Sequence, residues 1–528
     1  MFPDQTAGQR VAMIPEILGQ VFECSARGDQ VRSARVNRFW CDVALSLVWE
    51  RLVDLRVLFR LLAPLNTNDG MIAFARVLTS KDWARFDYYA RRVREVVQSP
   101  RRPALHPSLV TEIMSTRGPA ELLPNLSRVH FDGQRPLRHL HLFLHPNMTR
   151  LAISRQSGNA LLGAILFSLP TKTPSITHIS LSEDMVVLDE GDDSHARTMF
   201  AEALPVLSSL RSLTLPLHWF TPAVVDAAAF CVSLDELSTA PLKGERDDIE
   251  LFEYDQLYSL SLRHDGFPGL RSLSIILPFH RAAMFISQDH HFHVLTHFEA
   301  QSPYDIVRPH EYDAILSALS ESCSGLESIV LSTAEPREEE TEHEAITYHE
   351  LSSITQLIAL QSVDIHHTMP LQLFAEDVIA MARALPNLTT LSLNPAPAVD
   401  AASTLVVSIL SSLRDLCQNL TSLGLYLNAE DEHIPPPPSI DEELRQAVPE
   451  KVEFASLKKL TVRLSSLSSP AQLAVYLSYI LPLGCVLNSS SCVDHAAWGE
   501  AQKLIPVFKQ VRAQGMRTGL LRCDALSQ

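Results

Sequence analysis

The chain has 528 residues, 46% of them apolar and 20% charged, so it folds as a globular protein. It is too long for one core, which predicts two or three units or a repeat array. A net charge of −17 argues against nucleic acid as the main partner. Residues 1–102 hold 16 Lys/Arg against 11 Asp/Glu, a balance of +5, so the remainder carries −22 (−17 less +5) and a basic head precedes an acidic body. The eight cysteines, Cys24, Cys41, Cys231, Cys323, Cys417, Cys485, Cys492 and Cys523, form no C-x-x-C pair. They read as buried thiols in a reducing compartment, with no zinc or redox motif. Pro3, Asp4 and Gln5 interrupt any signal-peptide core. The longest apolar stretch, Leu473 to Leu487, contains Pro482 and is shorter than the ~20 residues a membrane span needs. The expectation is a cytoplasmic or nuclear protein with no membrane partner.

Residues 1–9 read as a flexible start. Residues 10–52 then hold Ile14-Pro15-Glu16-Ile17-Leu18, Val21-Phe22, Val36-Asn37-Arg38-Phe39-Trp40 and Val48-Trp49. Pro15 suits the first turn of a helix. Val36, Phe39, Trp40 and Val43 share one face at helical spacing. About 40 residues rarely bury enough surface to fold without a partner. Apolar anchors on short helices point to docking. The pattern resembles the F-box motif, which docks the Skp-type adaptor of a cullin-scaffolded ubiquitin ligase. The resemblance implies an adaptor contact drawn from Ile14, Pro15, Ile17, Leu18, Val36, Phe39, Trp40 and Trp49. The alternative for Trp40 and Trp49 is packing against residues 53–102.

Residues 53–115 read as a helical linker. Trp83, Phe86, Tyr89, Val93 and Val97 recur at helical spacing among arginines, which suggests packing more than phosphate binding.

From about residue 122 a frame L-x-x-L-x-L keeps returning. Leu385-Pro386-Asn387-Leu388-Thr389-Thr390-Leu391-Ser392-Leu393 is the cleanest copy. After the copy around Leu126, its first apolar residue falls at 148, 176, 210, 234, 270, 295, 326, 360, 388, 420 and 457. The last four positions alternate as a strand with one buried face. Helical stretches such as Leu371 to Leu385 and Ala401 to Leu416 lie between copies. The fold class is therefore α/β, a leucine-rich-repeat-like solenoid over 116–528 with strands on the concave side and helices on the convex side. Loop insertions are expected near 335–344, rich in glutamate, and near 430–441, with the run Pro435 to Pro438. The sequons at Asn387 and Asn419 are explained by the repeat. Head motif, Trp83-Ala84-Arg85-Phe86 and Leu-Pro-Asn-Leu repeats together resemble fungal F-box proteins with leucine-rich-like repeats.

No G-x-S-x-G, G-x-x-x-x-G-K or G-x-G-x-x-G motif is present, and no catalytic residue or cofactor is assigned. His290, His291, His293 and His297 have suggestive spacing, but a strand holds i and i+4 too far apart to share a metal. In the early repeats Arg128, His130, His139, His141, Arg150 and His178 fall at non-leucine strand positions. They form a candidate cationic surface for an acidic or phosphorylated client, against ordinary polar decoration as the alternative. The resemblance implies a non-catalytic substrate receptor whose partners are a Skp-type adaptor, through it a cullin, and an unidentified client protein. A scaffold whose head merely caps the solenoid is the second reading.

Overall fold

Apolar–polar alternation over four or five residues makes a strand with one face to bury, and a single such strand finds no cover within its own repeat. In the computed structural model the described residues are 13–68, 70–98, 105–117, 121–132, 137–155, 160–183, 190–240, 266–288, 292–303, 307–334, 344–399, 402–436, 453–463, 465–489 and 495–526. Two units are present, Met1–Gly269 and Leu270–Gln528. In each, parallel strands stack in chain order with helices between them, a leucine-rich-repeat-like α/β arrangement.

The first unit opens with α1 (Pro15–Glu23), α2 (Arg27–Ser33) and α3 (Arg38–Glu50), and α3 runs directly into β1 (Arg51–Leu52). Next come α4 (Leu55–Phe59), the antiparallel hairpin β2 (Leu65–Asn68) and β3 (Met71–Phe74), α5 (Trp83–Ala90) and β4 (Glu95–Val97). The repeats follow as α6 (Pro107–Arg117), β5 (Arg128–Asp132), β6 (Arg150–Arg155), α7 (Ala160–Lys172), β7 (His178–Glu183), α8 (Glu190–Ala203), β8 (Ser212–Leu215), α9 (Pro222–Ala229) and β9 (Glu236–Thr239). The parallel order is β1-β4-β5-β6-β7-β8-β9. The sheet thus begins at Arg51, not near 116, and residues 53–115 are a correction to the helical-linker expectation. Val93 and Val96, both buried, place the frame's two leading positions in valine instead of leucine.

The second unit holds β10 (Ser272–Ile276), α10 (Phe279–Ile286), β11 (His297–Gln301), α11 (Pro309–Ser322), β12 (Ser328–Ser332), α12 (Tyr348–Leu351), β13 (Ser362–Ile365), α13 (Ala375–Ala384), β14 (Thr390–Leu393), α14 (Ile409–Leu416) and β15 (Ser422–Leu425). It closes with β16 (Asn428–Ala429), β17 (Lys459–Thr461), β18 (Ser466–Leu467), α15 (Pro470–Ile480), β19 (Val486–Asn488) and α16 (His495–Leu526). The parallel order is β10-β11-β12-β13-β14-β15-β17-β19, and β16 pairs with β18. Residues 371–374 and 402–408, expected as helix, are not helical: Gln372 bridges Thr347 and Val406 bridges Asn428. The C-terminal helix α16 packs on α15, with the buried Trp498 indole donating to the Ser465 carbonyl at 2.9 Å. Residues 1–9, most of the 335–344 insertion and the later part of the 430–441 insertion lie outside the described residues.

One repeat position explains the stacking. The first residue of each frame, from Leu126 to Leu457, lies two residues before a strand and is at most 2% exposed. The residue three places earlier turns the chain, as where the N–H groups of Leu234, Leu326 and Leu420 donate to the carbonyls of Cys231, Cys323 and Cys417. Three cysteines therefore occupy one repeat position. Burial pushes the Cys231 and Cys323 thiols up to about 12 and that of Cys417 up to about 11, which leaves them protonated and inert.

The residue just after that leucine closes the joint between neighbours. The carbonyl of Thr149 accepts both the Thr177 and the His178 N–H, and that of Thr389 accepts both Thr421 and Ser422. Where this residue is Ser or Thr, its hydroxyl adds a third bond to the same carbonyl. Ser127, Thr149 and Thr177 do so in the first unit, and Thr296, Thr389 and Thr421 in the second. Each such hydroxyl is itself satisfied in this way, and the bond ties one repeat to the next just ahead of the strands.

Candidate docking surfaces

The head builds a small core of its own. Leu18, Phe22 and Ala44 are buried, with Ala34, Phe39, Trp40, Val43 and Leu47 packed against them. Phe22 and Trp40 meet edge to face with centroids 5.4 Å apart. Asn37 caps α3 by accepting the Trp40 N–H at 2.8 Å. Trp49 turns the other way, its ring 4.6 Å from that of Tyr89 on α5. Asp42 pairs with Arg92 at 2.7 Å, and the Arg94 N–H donates to the Glu50 carbonyl at 2.9 Å.

The eight candidate adaptor residues therefore divide. Leu18 is inside, and Phe39, Trp40 and Trp49 are half-buried in packing within the first unit. Ile14, Pro15, Ile17 and Val36 are exposed. Along α1, Ile14, Ile17 and Val21 form an outer apolar stripe beside the buried Leu18 and Phe22, with Val21 58% exposed. Val21 completes the stripe, and its i+4 spacing from Ile17 is the signal for it.

The six candidate client residues divide as well. Arg128, Arg150 and His178 stand in register on β5, β6 and β7, in the row Arg51, Glu95, Arg128, Arg150, His178, Ser212, Glu236. His130 lies two residues beyond Arg128. The cationic character is largely cancelled. The Glu95 carboxylate lies 3.3 Å from Arg51, 3.4 Å from Arg128 and 3.6 Å from His130, and Glu50 is 3.6 Å from Arg128. His139 and His141 are corrections. They sit on a 3₁₀ turn, Leu137–Leu142, with His139 buried and His141 Nδ1 3.2 Å from the Lys172 ammonium. Leu137, Leu140 and Phe143 bury at a three-residue period, which overrides the apparent strand alternation.

Burial holds the His141, His145 and His178 imidazoles below their ordinary 6.5, with Lys172 adding to the effect at His141 and Arg150 at His178. The neutral form predominates at pH 7, so these rings add no cationic charge to the row. Below pH 6.5 the unfolded chain takes up protons that the folded imidazoles resist, so stability falls as pH drops and is flat above. The expected result is an apparent melting temperature a few degrees lower at pH 5 than at pH 7, less so in His141→Gln. Equal slopes in the two proteins would remove His141 from the account.

His290 and His291 lie outside the described residues; His293 precedes β11 and His297 opens it. Among the described residues one group of three possible metal donors lies within 4.8 Å, Glu430, Glu432 and His433, with both carboxylates exposed. No helix among the described residues is long and apolar enough to cross a membrane.

A scan of protein families finds no match, and neither does a search of curated proteins. Among solved structures the chain is similar to an internalin (inlF) from Listeria monocytogenes, at 15% identity and a TM-score of 0.36, covering 76% of this chain and 88% of that one. It is similar to the TLR13–ssRNA13 complex at 15% identity and a TM-score of 0.35, covering 76% of this chain and 46% of that one. It is similar to the Rad7 and Elc1 complex in yeast at 12% identity and a TM-score of 0.31, covering 66% of this chain and 83% of that one.

Proposed function

We propose that the chain is a non-catalytic substrate receptor of a cullin-scaffolded ubiquitin ligase. The head docks a Skp-type adaptor and the repeats hold a client protein. The observation that supports this reading is the stripe Ile14, Ile17 and Val21, left in water beside a core that the head completes without it. Ubiquitin transfer would take place on other subunits, with this chain supplying position.

The test is co-purification with a Skp-type adaptor, comparing wild type with Ile14→Glu/Ile17→Glu/Val21→Glu. All three side chains are exposed, so circular dichroism should be unchanged while capture falls at least a hundredfold. Capture of the variant at wild-type level would sink the reading. A specific observation favours the second reading, a scaffold with a capping head. The continuous α3–β1 backbone, the Trp49–Tyr89 contact and the Asp42–Arg92 pair tie the head to the start of the sheet, as a cap would be. A folded wild type that ignores the adaptor would select it.

A further inference from the structure

Helix α2 buries none of its residues. It is held from one side by Gln30, whose Nε2 donates to the Phe22 carbonyl at 2.8 Å. Arg27, Val31 and Arg35 recur every four residues and are all exposed, and Val36 and Arg38 follow, also exposed. Residues 27–38 contain four arginines and one aspartate in a chain of net charge −17. The aspartate, Asp29, pairs with Arg32 at 2.7 Å, and Arg27 donates to the Val48 carbonyl. Arg35 and Arg38 make no ion pair among the described residues. Arginines interleaved with exposed valines, a short distance along the chain from the α1 stripe, suit a partner surface that is apolar in the middle and acidic at its rim. Their stems cover apolar surface while the guanidinium forks reach carboxylates. A nucleic acid fits less well, because it offers no groove for Ile14, Ile17 and Val21, and α1 and α2 expose no aromatic ring on which a base could stack.

We infer that the head's partner is an acidic protein surface, an apolar groove rimmed by carboxylates, with Arg35 and Arg38 set to meet the rim. This rests on the docking reading above and adds the charge of the partner to it. Rim charges act mainly on the rate of encounter and little on the lifetime of the complex.

The experiment measures association and dissociation of the full chain with purified Skp-type adaptor at 50 mM and 500 mM salt. Wild type is compared with Arg35→Glu/Arg38→Glu and with Arg35→Lys/Arg38→Lys. The glutamate variant should associate about tenfold more slowly at 50 mM salt, with dissociation unchanged within about twofold. The gap should close at 500 mM, where screening shortens the reach of the charges to a few ångströms. The lysine variant should behave as wild type. Equal association rates for wild type and the glutamate variant, or a wild-type rate indifferent to salt, would overturn the acidic rim and leave the docking reading standing. Wild type that does not bind the adaptor would overturn both. Retention of wild type, but not of the glutamate variant, on duplex DNA in place of the adaptor would overturn the acidic protein in favour of a polyanion.

Discussion

Phe22→Ala should unfold the head while the repeats stay folded. Phe22 is 3% exposed and stands edge to face with Trp40, in a core whose other buried members among the described residues are Leu18 and Ala44. Removing a buried phenylalanine costs about 3–5 kcal/mol, through lost transfer free energy and the cavity left behind. A core of that size has little stability beyond this to lose. Hydrogen exchange should show residues 13–50 losing protection while strands from β5 onward keep theirs. The contrast with Ile17 is the informative part. Ile17→Glu alters a side chain facing water and should leave protection unchanged, so the two substitutions separate folding of the head from docking by it. Unchanged protection in Phe22→Ala would mean that the contacts with α5 hold the head without its own core.

Gly163→Val should destabilise the first unit by about 3 kcal/mol, at the upper end of overpacking costs. Helix α7 crosses α8 so closely that a Cβ at residue 163 would lie 2.8 Å from Ala196 Cα and 3.2 Å from Met199 Sδ. The first of these atoms is backbone and has no rotamer to escape into. Gly163→Ala is the sharper case. In an open helix that change would stabilise by about 1 kcal/mol through propensity. Here the sign should reverse, visible as a lower denaturation midpoint by circular dichroism. A stabilised alanine variant would show that α7 and α8 move apart at little cost.

The strand positions were legible because the frame has two signals at once, a leucine two residues before each strand and alternation within it. Leu210, Leu270 and Leu388 mark β8, β10 and β14 in this way. The strands β1 and β4 were not legible. They are two and three residues long, and their frame is written in valine and tryptophan. The cysteines show a signal that was present but unread: Cys231, Cys323 and Cys417 each stand three residues before a frame leucine. Their periodicity, more than the residue type, marks the turn. In the docking surfaces, composition placed the apolar residues in the head, but the division of α1 into an inner and an outer stripe depends on where α3 lies. Pairing of Arg128 and His130 with Glu95 was out of reach for the same reason, since Glu95 belongs to a strand the frame did not announce.

The junction at Glu50–Arg51 has a consequence for geometry. A receptor whose two ends are joined by a flexible tether presents its cargo over a volume, and its efficiency depends on tether length. Here the last residue of α3 is followed at once by the first residue of the sheet, and ring and ion-pair contacts flank the join. A partner gripping α1 would meet the early strands at one fixed angle. Change in reach would then come from adding or removing repeats, each of which shifts the cargo by one strand spacing, and not from lengthening a linker.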